Sequence, residues 1–218
     1  MKTNTNHPLP EPTGGGSAPR RFSVVYADPP WDIAQLGARG AAKHYDLMTL
    51  DRIAGMGKAV QALSAPDAVL LLWVTNGALP AGLEVMKAWG FRYVSNAAWD
   101  KYYIGLGNYV RNSHELLLLG VRGKVRPRFR GQRSVLHFPR MEHSVKPSEM
   151  YPMIERLFDG PYLELFARMR PNSHADWSVW GNEIDADISL APWGYSVPAD
   201  FAKQGTDVLG SKEDGDAS

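Results

Sequence analysis

Phe22-Ser23-Val24-Val25-Tyr26-Ala27-Asp28-Pro29-Pro30-Trp31 is the stretch around which the chain arranges itself. Phe22 to Tyr26 are mostly β-branched and aromatic, the composition of a short strand buried in a central sheet. Pro29 and Pro30 stop further pairing, because neither has an N–H to donate. Each also pushes its predecessor toward extended backbone, so Asp28 and Pro29 stay out of the helical region. The result is a stiff strand end that presents one carboxylate, carbonyls with no neighbouring N–H, and a flat indole.

Those groups suit an aromatic amine. The exocyclic NH₂ of adenine is a poor nucleophile, because its lone pair is delocalised into the ring. Acceptors at Asp28 and at the Pro29 carbonyl would hold both N–H bonds and favour a pyramidal nitrogen whose lone pair faces an electrophile. Trp31 would stack on the base, a contact worth roughly 1–3 kcal/mol. A base in a duplex must first be rotated out of its stack. The plain alternative is a strand followed by a Pro-Pro turn whose Trp31 packs on the core. Spacing alone leaves both readings open.

Composition sets the frame. The 218 residues fit one α/β domain with tails, and 44% hydrophobic content is enough for a sizeable core. Cysteine is absent, which excludes disulfides, Cys-ligated zinc and iron–sulfur clusters and favours a cytoplasmic home. No apolar run follows the N-terminus as a secretory signal would require, and none approaches the length of a membrane span. Lysine and arginine (24) nearly balance aspartate and glutamate (23), so any polyanion surface must come from local clustering.

Along the chain, Pro8, Pro10, Pro12, the Gly14-Gly15-Gly16 run and Pro19 indicate a flexible leader over residues 1–20. Asp32 to Asp46 reads as a long irregular loop over the site. Thr49 is the expected N-cap of a helix from Leu50 to about Leu63, with Ile53, Met56, Val60 and Leu63 on one face. Gly55 and Gly57 weaken that helix. Ala68 to Thr75 has the continuous apolar character of a central parallel strand. Asn76 is expected to cap a helix ending near Trp89, stopped by Gly90. Strands then follow over Phe91 to Trp99 and His114 to Val121, joined by an aromatic, glycine-rich loop expected to face nucleic acid. A helix starting at Pro147 or Ser148 puts Met150, Ile154, Leu157 and Phe158 toward the core. Tyr162 to Ala167 and Trp177 to Trp180 are the last strands. Strands alternating with helices argue for a layered α/β sheet.

Arg122, Lys124, Arg126, Arg128 and Arg130 occupy alternate positions, with Arg133 close behind and no acid from Val121 to Arg133. In extended backbone successive side chains point to opposite faces, so five cations would line one side at phosphate-like spacing. Such contacts supply affinity rather than sequence reading. Pro127 argues against a regular paired strand there.

Asp28-Pro29-Pro30-Trp31 resembles the signature of the adenine-N6 methyltransferase family, which includes the catalytic subunit of the eukaryotic mRNA adenosine methyltransferase and bacterial and phage DNA-adenine methyltransferases. The resemblance runs on in family order through Leu71-Leu72-Trp73-Val74-Thr75, Trp89-Gly90-Phe91, Trp99-Asp100-Lys101, Glu115 to Gly123, Lys146-Pro147-Ser148-Glu149-Met150-Tyr151, Glu164 to Arg168 and Trp180-Gly181-Asn182-Glu183. It implies an α/β, Rossmann-like, S-adenosylmethionine-dependent methyltransferase fold over residues 21–185. That fold is circularly permuted, with the catalytic strand ahead of the cofactor-binding strand, and residues 186–218 form a tail.

By the same resemblance Asp28, Pro29, Pro30 and Trp31 are catalytic. Tyr45 and Asn112 join the five cations in binding substrate. Asp28, Lys146, Glu164, Phe166, Arg168, Asn182 and Glu183 bind S-adenosyl-L-methionine, with Lys146 on its carboxylate end and Asn182 and Glu183 on its ribose. No metal is required. Asp46-Leu47 departs from the family's usual pair, and the loop from Arg168 to Ala175 is about one residue longer, so roles are not carried onto Arg170, Asn172 or His174. The partner is nucleic acid, DNA rather than RNA, with no membrane, and pairing as a homo- or hetero-dimer is open. The alternatives are an RNA methyltransferase, a catalytically silent subunit of the same fold, and a protein-amide methyltransferase, which usually has Asn at the first signature position.

Overall fold

A computed structural model describes residues 20–32, 47–105, 107, 109–139 and 145–197. The leader through residue 19, Tyr45 and most of the loop after Trp31, and the end of the chain lie outside the described residues. The strands are β1 (Phe22–Ala27), β2 (Ser64–Val74), β3 (Arg92–Asp100), β4 (His114–Arg122), β5 (Val135–Leu136), β6 (Tyr162–Leu165) and β7 (Trp177–Trp180). They form one sheet in the order β5-β3-β4-β2-β1-β6-β7. β1 is central, running parallel to β2 on one side and to β6 on the other, and β7 continues parallel to β6.

The period of two in β1 and β2 sorts their side chains to two faces. Val25, Ala27, Leu70, Leu72 and Val74 enter one core cluster with Ile53, Val85, Met86 and Trp89. Val24, Tyr26, Val69, Leu71 and Trp73 enter another with Met150, Met153 and Ile154. The first face is covered by α1 (Leu50–Gly55), α2 (Gly57–Leu63) and α3 (Leu79–Ala88), the second by α4 (Met150–Leu157). This is the expected layered α/β architecture.

Several expectations change in detail. β2 begins at Ser64, earlier than its apolar run, and ends at Val74. The helix expected from Leu50 to Leu63 is capped by Thr49, whose Oγ1 accepts the Arg52 N–H, but it breaks at Met56. The two glycines explain the break: a Cβ on Gly57 would lie 2.5 Å from the Ala88 carbonyl oxygen, and one on Gly55 2.8 Å from the Tyr195 hydroxyl. They let α3 and the C-terminal segment approach closely. Trp89 donates its indole N–H to the Ile53 carbonyl at 2.8 Å, satisfying a group beside the interruption. Asn76 does not cap α3; it opens a short 3₁₀ turn, Asn76–Ala78, and its amide reaches Asn112 instead. Gly90, at φ +83°, ends α3 as expected.

β4 runs antiparallel to both β2 and β3. The described residues between β3 and β4 hold no helix, and the chain returns as a hairpin rather than by the crossover a parallel pair needs. The tail expected from Ala186 is part of the packed body as far as Val197. Ala186, Leu190 and Val197 are buried in the first core cluster, and Tyr195 donates its hydroxyl to the Arg52 carbonyl at 2.9 Å. No helix among the described residues is long and apolar enough to cross a membrane.

Replacing Gly57 with alanine should destabilise the fold by about 1–3 kcal/mol, because the clash is with backbone on both sides. A thermal melt should show a fall of several degrees; an unchanged midpoint would mean that the α2–α3 contact is looser than the geometry says.

Candidate active site

In an open α/β sheet, ligands bind beyond the carboxyl ends of the strands where the strand order reverses. Here the chain leaves β1 toward β2 and later returns to β1's other side as β6, so the reversal lies between β1 and β6. Ala27 pairs with Leu165, and Leu165 with Trp180, which sets Asp28, Phe166 and Gly181 level at one edge. A cavity of about 540 Å³ opens there, lined among others by Asp28, Pro30, Met48, Arg52, Phe166, Arg168, Trp180, Asn182, Glu183 and Tyr195.

The backbone around the cavity is specialised. Phe166 has φ +64°, a left-handed conformation rare for a bulky residue and found preferentially at functional sites. Gly181 is obligatory in this geometry, since a Cβ would sit 1.9 Å from the Ala167 carbonyl oxygen. The Asp-Pro-Pro-Trp turn is closed by its own bonds. Trp31 donates its backbone N–H to the Pro29 carbonyl at 2.9 Å, and Met48 donates to the Pro30 carbonyl at 2.8 Å. One sequence expectation is corrected here, that the carbonyls of the turn have no neighbouring N–H. The Pro29 carbonyl already accepts one hydrogen bond, leaving a single lone pair for an amine. Trp31 packs against the first core cluster with its Nε1–H donated to the Trp73 carbonyl at 3.0 Å, and it is not among the residues that line the cavity. That bond braces the turn.

Asp28 heads a chain of alternating charges. Its Oδ2 accepts from Lys146 Nζ at 2.7 Å, Lys146 lies 3.3 Å from Glu115 Oε2, and the other Glu115 oxygen accepts from Lys101. Asp28 and Lys146 side chains are only 24% and 16% exposed, so their attraction is poorly screened. Burial raises the Asp28 carboxyl above its ordinary range, Lys146 opposes that rise, and the Glu115 charge reinforces it. Burial alone would also raise Glu115, but Lys146 and Lys101 outweigh it and hold its carboxyl low. Lys146 is raised because Asp28 and Glu115 outweigh the cost of burying its ammonium. The ammonium also sits 5.4 Å above the Trp73 ring, an attraction to the ring's negative face.

The expected cofactor residues divide into two groups. Phe166, Arg168, Asn182, Glu183 and Asp28 do border the cavity, and Arg168 Nε lies 3.7 Å from Glu183. Lys146 and Glu164 are not among its lining residues. Lys146 is the counter-ion of Asp28. Glu164 accepts from the Tyr151 hydroxyl at 3.0 Å, and burial, reinforced by the Asp28 charge, pushes its carboxyl up to about 8. Glu115, Lys101, Arg52, Met48, Trp180 and Tyr195 were not assigned roles from sequence. Glu115 and Lys101 did stand inside the matching stretches, and that was their only signal.

Of the substrate residues, Tyr45 lies outside the described residues. Asn112 accepts the Asn76 side-chain amide at 3.0 Å beside the β3–β4 hairpin. The five cations do not form one strip beside Asp28. Arg122 pairs in register with Ala68, four residues below the level of Leu72 and Ala27, or about 13 Å toward the far end of the sheet. Its guanidinium donates to the Gln61 carbonyl, and the Lys124 N–H donates to Asp67. Gly123, at φ +64°, turns the chain between them and ends the alternation. Arg128 is ion-paired to Asp159 at 2.6 Å, while Arg126 and Arg130 border a second cavity on the α4 face.

Residues 22–183 match the MT-A70 family. The chain belongs to the MT-A70 family. It is 34% identical over 174 residues to a probable N(6)-adenosine-methyltransferase MT-A70-like protein of Oryza sativa subsp. japonica, a match covering 76% of this chain and 23% of that protein. To the human N(6)-adenosine-methyltransferase catalytic subunit METTL3 it is 32% identical over 202 residues, covering 88% of this chain and 33% of the relative. To the type II methyltransferase M.MunI of Mycoplasma sp it is 29% identical over 200 residues, covering 80% and 83%. This MT-A70 chain thus spans about a quarter of the plant relatives it matches and most of M.MunI.

S-Adenosylmethionine is the methyl donor of MT-A70 methyltransferases. The cavity's donor set fits it: carboxylates at Asp28 and Glu183 for a sulfonium, an ammonium and ribose hydroxyls, guanidinium groups at Arg52 and Arg168 for a carboxylate, and the Phe166 ring for a base. Its volume is in the usual range for small-molecule sites, about 300–1,000 Å³. The buried Trp180 indole N–H, on a residue bordering the cavity, lacks a hydrogen-bond partner among the described residues.

The raised Glu164 carboxyl has a consequence for stability. The folded state holds that proton more tightly than the unfolded chain, where the carboxyl titrates near the usual value of about 4.3. Its contribution is therefore complete at acid pH and is lost as pH rises toward and through about 8. Glu164→Gln should flatten the fall in denaturation midpoint between pH 6 and pH 9. A mutant curve parallel to the wild-type curve would rule out Glu164 as the titrating group.

Proposed function

We infer that this chain transfers a methyl group to the exocyclic amine of adenine in nucleic acid, with DNA as the substrate. The observation that carries the reading is the Asp28 carboxylate, held on Lys146 at the rim of a cavity whose donors suit S-adenosylmethionine. The bound donor supplies an electrophilic methyl on a cationic sulfur. Asn182 and Glu183 hold the ribose, Arg52 and Arg168 the carboxylate. This assignment makes β6 a cofactor strand that follows the catalytic strand β1 in the chain, a permuted order.

Asp28 accepts one N–H of the adenine amine through the carboxylate edge not used by Lys146. The free lone pair of the Pro29 carbonyl accepts the second. With both N–H bonds held, the nitrogen lone pair turns out of conjugation and toward the methyl group. Alignment of the two reactants then accounts for much of the rate. The amine proton becomes acidic only as the new bond forms and leaves through Asp28 or water, so Asp28 need not be a strong base. In the Asp28–Lys146 pair, ionised Asp28 is the working form.

The choice of DNA rests on the likeness to the type II methyltransferase M.MunI, which covers 80% of this chain. The silent-subunit alternative is weakened by the intact Asp-Pro-Pro-Trp turn and by the open cavity of about 540 Å³ beside it. Asp28 itself speaks against the protein-amide alternative.

Mass spectrometry of nucleosides after incubation with S-adenosylmethionine and duplex DNA should find N6-methyladenine. Asp28→Ala should abolish that product, a loss of at least about a hundredfold for a group acting on the reacting nitrogen. Because Asp28 also borders the donor's cavity, the rate is read at saturating S-adenosylmethionine, with a thermal melt of the variant alongside. A lost melting transition would make Asp28 a structural residue, and retained product would remove it from the reaction.

A further inference from the structure

The hairpin connecting β3 to β4 is rooted in the reactive centre and bare at its tip. At its base, Lys101 donates its backbone N–H to the Ser113 carbonyl at 2.9 Å, and Gly105 donates to the Asn112 carbonyl at 2.7 Å. The arms are so close that a Cβ on Gly105 would lie 2.8 Å from the Asn112 carbonyl oxygen. The hydrogen bond that Asn76 Nδ2 donates to Asn112 Oδ1 ties the hairpin to the end of β2. Lys101 ties it to Glu115, and through Lys146 to Asp28. Tyr102, at φ +61°, has its N–H held by Asp100 and its ring 5.8 Å from the His137 ring.

Beyond that root four apolar side chains among the described residues are exposed. Tyr103 is 65% exposed, Ile104 73%, Val110 74%, and Tyr109 fully exposed. Monomers seldom display such residues together without a use for them. From Lys101 to Ser113 there is no acidic residue, and Arg111 adds a cation. With no acid to repel phosphates and a root beside Asp28, the hairpin can approach a nucleic acid whose base enters the site.

Resting on the function inferred above, we propose that this hairpin is the wedge that opens the duplex: Tyr103 and Tyr109, flanked by Ile104 and Val110, fill the space left when the target adenine swings toward Asp28. Proteins that unstack base steps insert apolar side chains at the step, and an enzyme acting on a base amine must extrude its target. The rigid root explains how insertion is coupled to the site. The same ion pairs that orient Asp28 fix the direction of the hairpin.

The methylated site is first mapped on plasmid DNA treated with the wild-type chain and S-adenosylmethionine. Two short duplexes carrying the site are then compared, one fully paired and one with an abasic residue opposite the target adenine. For Tyr103→Ser/Tyr109→Ser, the rate on the paired duplex should fall at least about tenfold more than the rate on the abasic one, where little pairing is left to break. With 2-aminopurine at the target position, the rise in fluorescence on binding should be present for wild type and lost in the variant. Equal falls on both duplexes, or no fall on either, would overturn the wedge. Equal falls with a changed mass in gel filtration would assign the hairpin to protein contact instead. Failure of the wild-type chain to methylate any DNA would overturn the function and the wedge together, whereas a failed wedge alone leaves wild-type methylation intact.

Discussion

The pairing of Asp28 with Lys146 is the constraint on which the site depends. A carboxylate at the end of a buried strand would tend to protonate, because burial penalises its charge. Lys146 arrives from a loop 118 residues later and keeps the charge in place at 2.7 Å. Lys146 would in turn be costly to bury beside one acid alone, and Glu115 provides the second, itself backed by Lys101. The result is an alternating row that runs from β1 through the segment before α4 to β4 and β3. Breaking such a row leaves an uncompensated buried charge, and that is costlier than the pair was worth.

The row also links the sheet to both sides of the site. β1 delivers Asp28 where the strand order reverses, and β6 and β7 end at the same level with Phe166 and Gly181. The antiparallel β4 runs the other way, so its first residues, His114 and Glu115, lie at the edge where β1 and β2 end. A parallel β4 would have brought its last residues, and Arg122 with them, to the site. Topology thus decides which charged residues of β4 serve the reaction.

Much of the sheet was legible in the sequence, because short runs such as Val24-Val25-Tyr26 and Leu70-Leu71-Leu72-Trp73 carry a clear burial signal. Asp28 was legible because two prolines fix the backbone around it regardless of context. What was not legible depended on long-range geometry. Gly55 and Gly57 looked like helix defects, yet they are contact points whose partners, Tyr195 and Ala88, lie far along the chain. The alternating cations assumed extended backbone that Gly123 interrupts with a left-handed turn. The bond from the Trp31 indole to the Trp73 carbonyl was not legible because that partner is 42 residues away. The enclosure of Lys146 by Asp28 and Glu115 was not legible either, since both acids lie far from it in the chain. The last segment, through Val197, looked like a tail because its buried residues are few and widely spaced.

The most direct test of this account is the pH dependence of single-turnover methyl transfer in Lys146→Gln beside the wild-type chain. If the ammonium keeps Asp28 ionised, its loss should move the acid limb of the profile upward by roughly 1–3 pH units, the usual effect of a neighbouring opposite charge. Activity should recover at higher pH. An acid limb that coincides with the wild-type limb would contradict the account, because Asp28 would then owe nothing to Lys146.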